Sequence, residues 1–491
     1  MSGRRPPRLV CSACGDSPAW SWTQLCPACG GLMDVEYDLA GVELRREGTP
    51  VERFFDLLPL HSRADAIDGG EGNTPCFHAR ELGAALGLSN LWLKVEGRNP
   101  TGTTKDRQGS VGVGALRELG VTRFATASTG NSATAMARIV ARYPDIHMHL
   151  FVGSEFLDRL EYADADNVTV YWLRDGTFVD AGKAAAWFAE REGIPLDKGF
   201  ASFAKREALK TVYLEAAFQV ERPIEYYFQS VSSGMGVYAV HGAACQLRAL
   251  GVVERIPRLV AVQEETCDPL VRSFARGVPK LHPDDIVPVP HGLSKATLRG
   301  DPTGAYPHLR RAVLDSEGMM VSAAQAEMRE MRHLLLATEG VDACYTSVMT
   351  AVAARSLAKS GRIDRDAVVL LNLTGSDRHL TRAIAPDLLV ERDGEEWRMT
   401  AISGAPPDLL EQVVRVVRES QRLSPDERLD AATELVDGGL SLDSVSVLEL
   451  LLALEKHFAC RIEEGEVTTA NFQTIGSAAE LIRRKLTDPH A

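Results

Sequence analysis

Between about residue 85 and residue 375 short apolar, β-branched runs alternate with helix-patterned ones, and this alternation constrains the fold most. "LWLKVE" (91–96), "RFATAS" (123–128), "HMHLFVG" (147–153) and "VTVYWLR" (168–174) read as buried strands. "GNSATAMARIVARY" (130–143) and "DAGKAAAWFAEREG" (180–193) read as helices between them. A second series follows: strand "YYFQSV" (226–231), helix "GVYAVHGAACQLRALG" (236–251), and strands "RLVAVQEE" (258–265) and "AVVLLNLTG" (367–375). Strands apolar along their whole length are buried on both faces. The pattern therefore predicts an α/β class with two open α/β domains, parallel sheets wrapped by helices, and ligands at the carboxyl ends of strands. The first series is expected to form a smaller subdomain over about 90–215.

A chain of 491 residues is too long for one core, so two to four domains are expected. The net charge of -13 argues against nucleic acid as a partner. No apolar run reaches the roughly 18–20 residues that span a bilayer, and "MSGRRPPRLVCSACG" has no apolar h-region, so no membrane partner and a cytoplasmic location are expected. Charge is unevenly spread: residues 408–491 carry 16 acidic and 9 basic side chains, marking a separate C-terminal module. "SGAPP" (403–407) reads as the end of a linker over 393–407. Helical segments follow it: "DLLEQVVRVVRESQ", "DSVSVLELLLALEKHF" and "TIGSAAELIRRKL".

Four of the nine cysteines are grouped. Cys11-x-x-Cys14 and Cys26-x-x-Cys29 are two knuckles, each followed by a glycine that permits the turn aiming two thiolates at one ion. Four thiolates in tetrahedral geometry suit structural zinc in a zinc ribbon over 1–35, the alternative being four reduced thiols without metal. The other five cysteines read as ordinary buried or half-buried residues.

"NPTGTTKDRQG" (99–109) places Lys105 at the opening turn of a helix, where the backbone dipole and unpaired N–H groups disfavour an ammonium. Burial lowers its pKa further, and a lysine so depressed is a nucleophile for carbonyls; the alternative is an ordinary surface lysine. In "ASTGNSATAMA" (127–137), Ser128, Thr129 and Gly130 at a helix N-terminus suit a substrate carboxylate, and Asn131 could reach a ring hydroxyl. "SVSSGMG" (230–236) could wrap a phosphate in backbone N–H groups from Ser232, Ser233, Gly234, Met235 and Gly236. It matches neither GxGxxG nor the GK[ST] loop, so neither dinucleotide nor ATP is favoured. "LLNLTGSDRH" (370–379) ends a strand at Thr374, whose hydroxyl could meet a heterocyclic nitrogen. Together these parts describe a site for pyridoxal phosphate.

Residues 1–385 resemble the threonine synthase family of fold-type II pyridoxal phosphate enzymes. The features run in order: the cysteine knuckles, "EGNTP" (71–75), "EGRNPTGTTKDR" (96–107), "STGN" (128–131), "DGTFVDA" (175–181), "REALKT" (206–211) and "LTG" (373–375). "YFQSVSSGMG" also resembles a loop of cysteate synthase, a relative acting on phosphoserine. The resemblance implies a catalytic region over 36–392. It implies that Lys105 binds the cofactor covalently and then removes the Cα proton, that Asn131, residues 232–236 and Thr374 hold the cofactor, and that Thr101, Ser128, Thr129 and Gly130 hold an amino-acid substrate. It also implies a possible homodimer. Thr103-Thr104 stand where the family commonly has Ser-Phe, and "SSGMG" is poorer in glycine and asparagine than the usual phosphate loop. These departures leave the substrate's side chain and leaving group open.

Asp443-Ser444 begin an amphipathic helix, where both types are favoured as N-caps. Residues 408–491, with "LDSV" and "FACRIEEGEVTTANFQTIGSAAELI", resemble an acyl or peptidyl carrier protein, an all-α helical bundle. That resemblance implies a covalent phosphopantetheine arm on Ser444, added by a phosphopantetheinyl transferase, and an acidic surface for docking other biosynthetic enzymes. The combined expectation is elimination or replacement on an O-phosphorylated amino acid, β-replacement favoured, with substrate or product carried as a thioester in natural-product biosynthesis. The alternatives are a threonine synthase acting on phosphohomoserine, or a noncatalytic carrier and docking scaffold.

Overall fold

The computed structural model describes residues 5–487 except 129, 163–164, 175, 378–383, 395, 403–408, 422, 424–426, 428, 437–438 and 459; the side chains of 155, 158, 444–445, 464 and 486–487 are not described. Two compact units result, one of residues 1–378 and 386–400, the other of 379–385 and 401–491. No described helix is long and apolar enough to cross a membrane.

The first unit opens with an antiparallel pair, β1 (Arg8–Cys11) and β2 (Met33–Glu36), flanking the knuckles. The Sγ atoms of Cys11, Cys14, Cys26 and Cys29 all lie within 4.8 Å of one another. The Ala13 N–H donates to Cys11 Sγ and the Gly31 N–H to Cys29 Sγ, both at 3.4 Å. A Cβ at Gly31 would lie 2.9 Å from Cys11 Sγ, so the knuckle needs glycine there.

The remaining strands are β3 (Cys76–His78), β4 (Asn90–Val95), β5 (Arg123–Ala127), β6 (His147–Gly153), β7 (Val168–Leu173), β8 (Leu196–Asp197), β9 (Tyr226–Ser230), β10 (Arg258–Glu264), β11 (Met319–Ala323), β12 (Val368–Leu373), β13 (Leu388–Asp393) and β14 (Glu396–Ala401). They form two six-stranded sheets, ordered β11-β10-β9-β12-β4-β3 and β14-β13-β7-β6-β5-β8. In the first, β3 runs antiparallel to β4 and the other strands are parallel.

Two expectations need correction. β4 pairs residue for residue with β12, Asn90 to Val368 through Val95 to Leu373, so "LWLKVE" belongs to the first sheet and not to a subdomain starting at 90. The second sheet instead draws on 123–197 and on β13 and β14. Residues 396–401, read as linker, form β14, because Trp397 and Met399 pack with Val390 on the core of this sheet. Alternation of period two there was obscured by the charged residues around it.

The helices follow local rules. The helix Phe178–Glu192 starts with a capping box between Thr177 and Asp180 and stops at Gly193, whose φ of 64° suits a residue without Cβ. It buries Ala181, Ala184, Ala185, Phe188 and Ala189 against Ala125, Phe151 and Tyr171 of the second sheet.

In the second unit, helices Leu409–Ser420, Ser444–Phe458, Thr469–Phe472 and Ile475–Thr487 surround a core that includes Val413, Val417, Leu450, Leu454, Ile475 and Ile482. Its 12-residue first helix is strongly amphipathic and buries Val413, Val416 and Val417.

Candidate active site

Four loops leave the carboxyl ends of β4, β5, β9 and β12, and these loops hold the residues singled out in the sequence. The β4 loop leads into the helix Asp106–Glu118, with Lys105 as its N-cap residue. Lys105 is half-buried, and its side-chain amine has no hydrogen-bond or ion-pair partner among the described residues. Loss of hydration, reinforced by the nearby charge of Lys205, lowers its pKa to about 8. Lys205 itself is paired with buried Asp197, which also accepts from Thr126 Oγ1 at 3.0 Å.

The loop before Lys105 is fixed from within. Thr101 donates from N and from Oγ1 to Asp106 Oδ2, each at 2.8 Å, so its hydroxyl is engaged in closing the loop. The Thr104 N–H donates to the Thr374 carbonyl at 2.9 Å, and the Ser376 N–H to the Gly102 carbonyl at 3.0 Å, which brings the β12 loop alongside. Thr374 is half-buried; the next residue, Gly375, is gripped at both N and O by Ser347 Oγ.

The β5 loop opens the helix Asn131–Val140. Ser128 Oγ accepts from the N–H groups of Gly130 and Ala133 at 3.2 and 3.1 Å, and Gly130 has φ 113°. Thr129 lies outside the described residues. The β9 loop, with half-buried Ser232 and Ser233, opens the helix Met235–Ala249, whose N-cap Gly234 supplies no side-chain cap. Gly234 has φ 84°, and a Cβ there would strike Leu309; a Cβ at Gly236 would lie 1.9 Å from Gln229 Nε2.

Two helix N-termini thus present N–H groups opened by glycine, the arrangement that receives anions. Gln108, one turn after Lys105, ties both to the lysine's helix: its Nε2 donates to Met235 Sδ at 2.9 Å and its Oε1 accepts from Ser132 Oγ at 3.3 Å. Sequence reading passed over Gln108; its place three residues after Lys105, on the same helix face, was the available signal.

Beneath this surface lies a buried ion network that the sequence did not suggest. Arg107 donates to Glu96 Oε2 and to Glu215 Oε1, both at 2.7 Å, and Lys94 Nζ lies 2.6 Å from Glu215 Oε2, with all four side chains essentially inaccessible. The "EGNTP" loop hangs on it: the Asn73 N–H donates to Glu215 Oε1 and Thr74 Oγ1 to Glu96 Oε1. Glu71 is buried against the Gly69 N–H and Ser110 Oγ, and burial raises its pKa to about 7. Asn73 and Thr74 of this motif thus serve the buried network around Arg107.

The residues present fit pyridoxal phosphate. Besides the unpartnered amine and the glycine-opened cradle at 234–236, three buried polar atoms next to these loops lack partners: Thr104 Oγ1, Ser230 Oγ and Asn372 Oδ1. Gly236→Ala should therefore weaken cofactor binding by about tenfold or more, as crowding of Gln229 costs roughly 1–3 kcal/mol. Equilibrium dialysis with pyridoxal phosphate checks this. Gly242→Ala, where a Cβ makes only ordinary contact at 3.9 Å with Lys210, should leave binding unchanged.

A second expected result concerns the amine alone. In cofactor-free protein, the rate of Lys105 acetylation by a trace of acetic anhydride should rise with pH and reach half of its plateau near pH 8, because only the neutral amine reacts. A half-plateau near the ordinary lysine value of 10.5 would show that the amine is not depressed.

Comparison with known proteins places this geometry. The model of the family described as pyridoxal-phosphate dependent enzyme matches residues 67–375. Threonine synthase of Methanosarcina acetivorans is 29% identical over 71% of this chain and 86% of its own length. Cysteate synthase of Methanospirillum hungatei is 27% identical over 78% of this chain and 94% of its own. Maize serine racemase shares the fold, with a TM-score of 0.53 at 20% identity, covering 62% of this chain and 89% of its own. Residues 67–375, more than half of the chain, match that model, and the chain therefore belongs to the pyridoxal-phosphate dependent enzyme family, as an enzyme of the threonine synthase and cysteate synthase type.

Proposed function

We propose that the first unit replaces the phosphate of an O-phosphorylated amino acid, acting at the β-carbon. The observation that carries this reading is the partnerless amine of Lys105 on a helix that Gln108 ties to two glycine-opened helix N-termini. One anion site serves the cofactor phosphate, through the N–H groups at 232–236; the other, at Ser128–Gly130, serves the substrate carboxylate. Thr374 would meet the cofactor's ring nitrogen, Asn131 its ring hydroxyl, and Lys105 would hold it covalently. Bound there, pyridoxal phosphate supplies an electron sink for the bond broken at Cα.

The chain's own residues do the rest. With the cofactor bound, the Lys105 amine would take the Cα proton, and its lowered pKa keeps a useful fraction neutral near pH 7. The fixed 101–106 loop keeps the amine in place between proton transfers. The likeness of "YFQSVSSGMG" to cysteate synthase, and the relatives of that name, favour β over γ chemistry.

The test is phosphate release from O-phospho-L-serine and from O-phospho-L-homoserine, supplied separately. Release from phosphoserine supports the β reading. Release only from phosphohomoserine would replace it with threonine-synthase chemistry, a reading favoured by the relatives of that name. Release from neither would sink catalysis on a free phosphorylated amino acid.

For residues 408–491 we propose a carrier domain with phosphopantetheine on Ser444. Support comes from the helix start at Ser444, the Asp443 Oδ1 that accepts from the Ser446 N–H at 2.8 Å, and exposed Leu448 and Leu452 one and two turns further on. Incubation with a phosphopantetheinyl transferase and coenzyme A should add the arm's mass to the peptide holding Ser444. The Ser444→Ala chain should gain nothing; an unmodified natural chain would remove the carrier reading. For the four knuckle thiols, whose mutual spacing fits a tetrahedral ion, we propose structural zinc.

A further inference from the structure

A second group of metal-ligand side chains lies apart from the knuckles, on two helices of the first unit. His241 and Cys245 are one turn apart on the Met235–Ala249 helix, and Asp315 ends the helix Tyr306–Asp315. His241 Nε2 is 2.6 Å from Asp315 Oδ2 and 3.8 Å from Cys245 Sγ, and one ligand atom from each residue lies within 4.8 Å of the others.

The geometry excludes a catalytic triad. In a Cys–His–Asp relay the thiol and the carboxylate meet opposite ring nitrogens, whereas here both approach Nε2. Three different ligand atoms converging on one point is instead what a metal ion requires. Zinc bonds of about 2.0 Å to N and O and 2.3 Å to S, at tetrahedral angles, put N and S about 3.5 Å apart and N and O about 3.3 Å apart. The His–Cys spacing, 3.8 Å, must close by about 0.3 Å. The His–Asp spacing must open by about 0.7 Å, which the half-exposed Asp315 side chain can do by rotating.

We propose that His241, Cys245 and Asp315 bind a zinc-class divalent ion, with the fourth position open to solvent. One imidazole and one thiolate select a borderline-soft metal over calcium or magnesium. The carboxyl end of the Tyr306–Asp315 helix adds the negative end of its dipole. Arg248, close to Cys245 on the same helix, opposes the ion, while Asp315 favours it. A neutral His241 ring ligates through Nε2 by carrying its one N–H on Nδ1, and Cys245 ligates as the thiolate, so the thiol proton is released as the ion enters.

The site has a structural consequence for the cofactor cradle. The helix carrying His241 and Cys245 begins at the 234–236 loop, and the helix carrying Asp315 supplies Leu309, the side chain packed under Gly234. An ion joining the two helices would hold that joint closed.

The test compares the full chain with its Asp315→Asn and His241→Gln variants, each dialysed to equilibrium against the same micromolar free Zn2+, with zinc per chain measured by atomic spectroscopy. The natural chain should hold one zinc more than either variant, whatever the knuckle cysteines hold; equal contents would overturn the proposal. A measurement on the unaltered chain is independent of variant folding. Zn2+ should slow alkylation of the Cys245 peptide by iodoacetamide at least tenfold, and an alkylation rate indifferent to Zn2+ would leave only a His–Asp hydrogen bond beside a thiol.

Discussion

Lys105→Ala is expected to lower turnover by at least about a thousandfold while leaving the fold intact. A positioned proton-transfer group contributes roughly 10²–10⁴ in rate, and the same amine also serves as the cofactor's covalent anchor. Nothing in the fold depends on the side chain: Lys105 is half-buried, its amine makes no hydrogen bond or ion pair among the described residues, and its helix is held by other contacts. Truncation should therefore change stability by less than about 1 kcal/mol. Circular dichroism and phosphate release, measured on the same preparation, separate the two effects. A variant retaining a tenth or more of natural turnover would remove Lys105 from the chemistry.

The largest effect on stability is expected at Arg107. Its guanidinium is 1% exposed and bridges Glu96 and Glu215, with further bonds to Thr211 and Thr74. Burial alone pushes the Glu215 carboxyl up, but Arg107 and Lys94 pull it down to about 2. Arg107→Ala leaves two buried carboxylates facing the single charge of Lys94, and breaking such a pair costs about 3–5 kcal/mol. Urea unfolding of the first unit should show a loss of that size, and a loss below about 1 kcal/mol would contradict the ion network. Because the folded pKa of Glu215 lies below its unfolded one, its contribution is complete above about pH 4.5 and disappears as pH falls towards 2. Arg107→Lys should recover little, since a point charge cannot bridge two carboxylates as a planar fork does.

Much of the scaffold was legible because its strands are buried on both faces. Each of the quoted β5, β6, β7, β9, β10 and β12 runs coincides with a strand to within a residue or two, since an unbroken apolar stretch bounded by turn residues has few other uses. Sheet membership was not legible. β4 sits next to the first series in sequence, yet its partner β12 lies more than 270 residues away, and nothing local encodes that pairing. Lys105 at a helix start, and the lowering of its pKa by burial, were visible in the motif, whereas the added contribution of Lys205, a hundred residues distant, was not. Arg107 reads as an ordinary helix-surface charge in "TTKDRQG". Only the fold brings Glu96 and Glu215 to it and shows that the "EGNTP" residues serve the same network. Chemistry carried by local spacing could be read early, while chemistry carried by tertiary approach could not.

The reading of the site stands on one covalent assignment, which borohydride reduction addresses directly. Reduction of the purified, pyridoxal-phosphate-loaded chain, followed by proteolysis and mass mapping, should place the reduced pyridoxyl phosphate group on the peptide holding Lys105. The Lys105→Ala chain treated identically should carry no such group. A label on another lysine, or none on the natural chain, would contradict Lys105 as the anchoring amine.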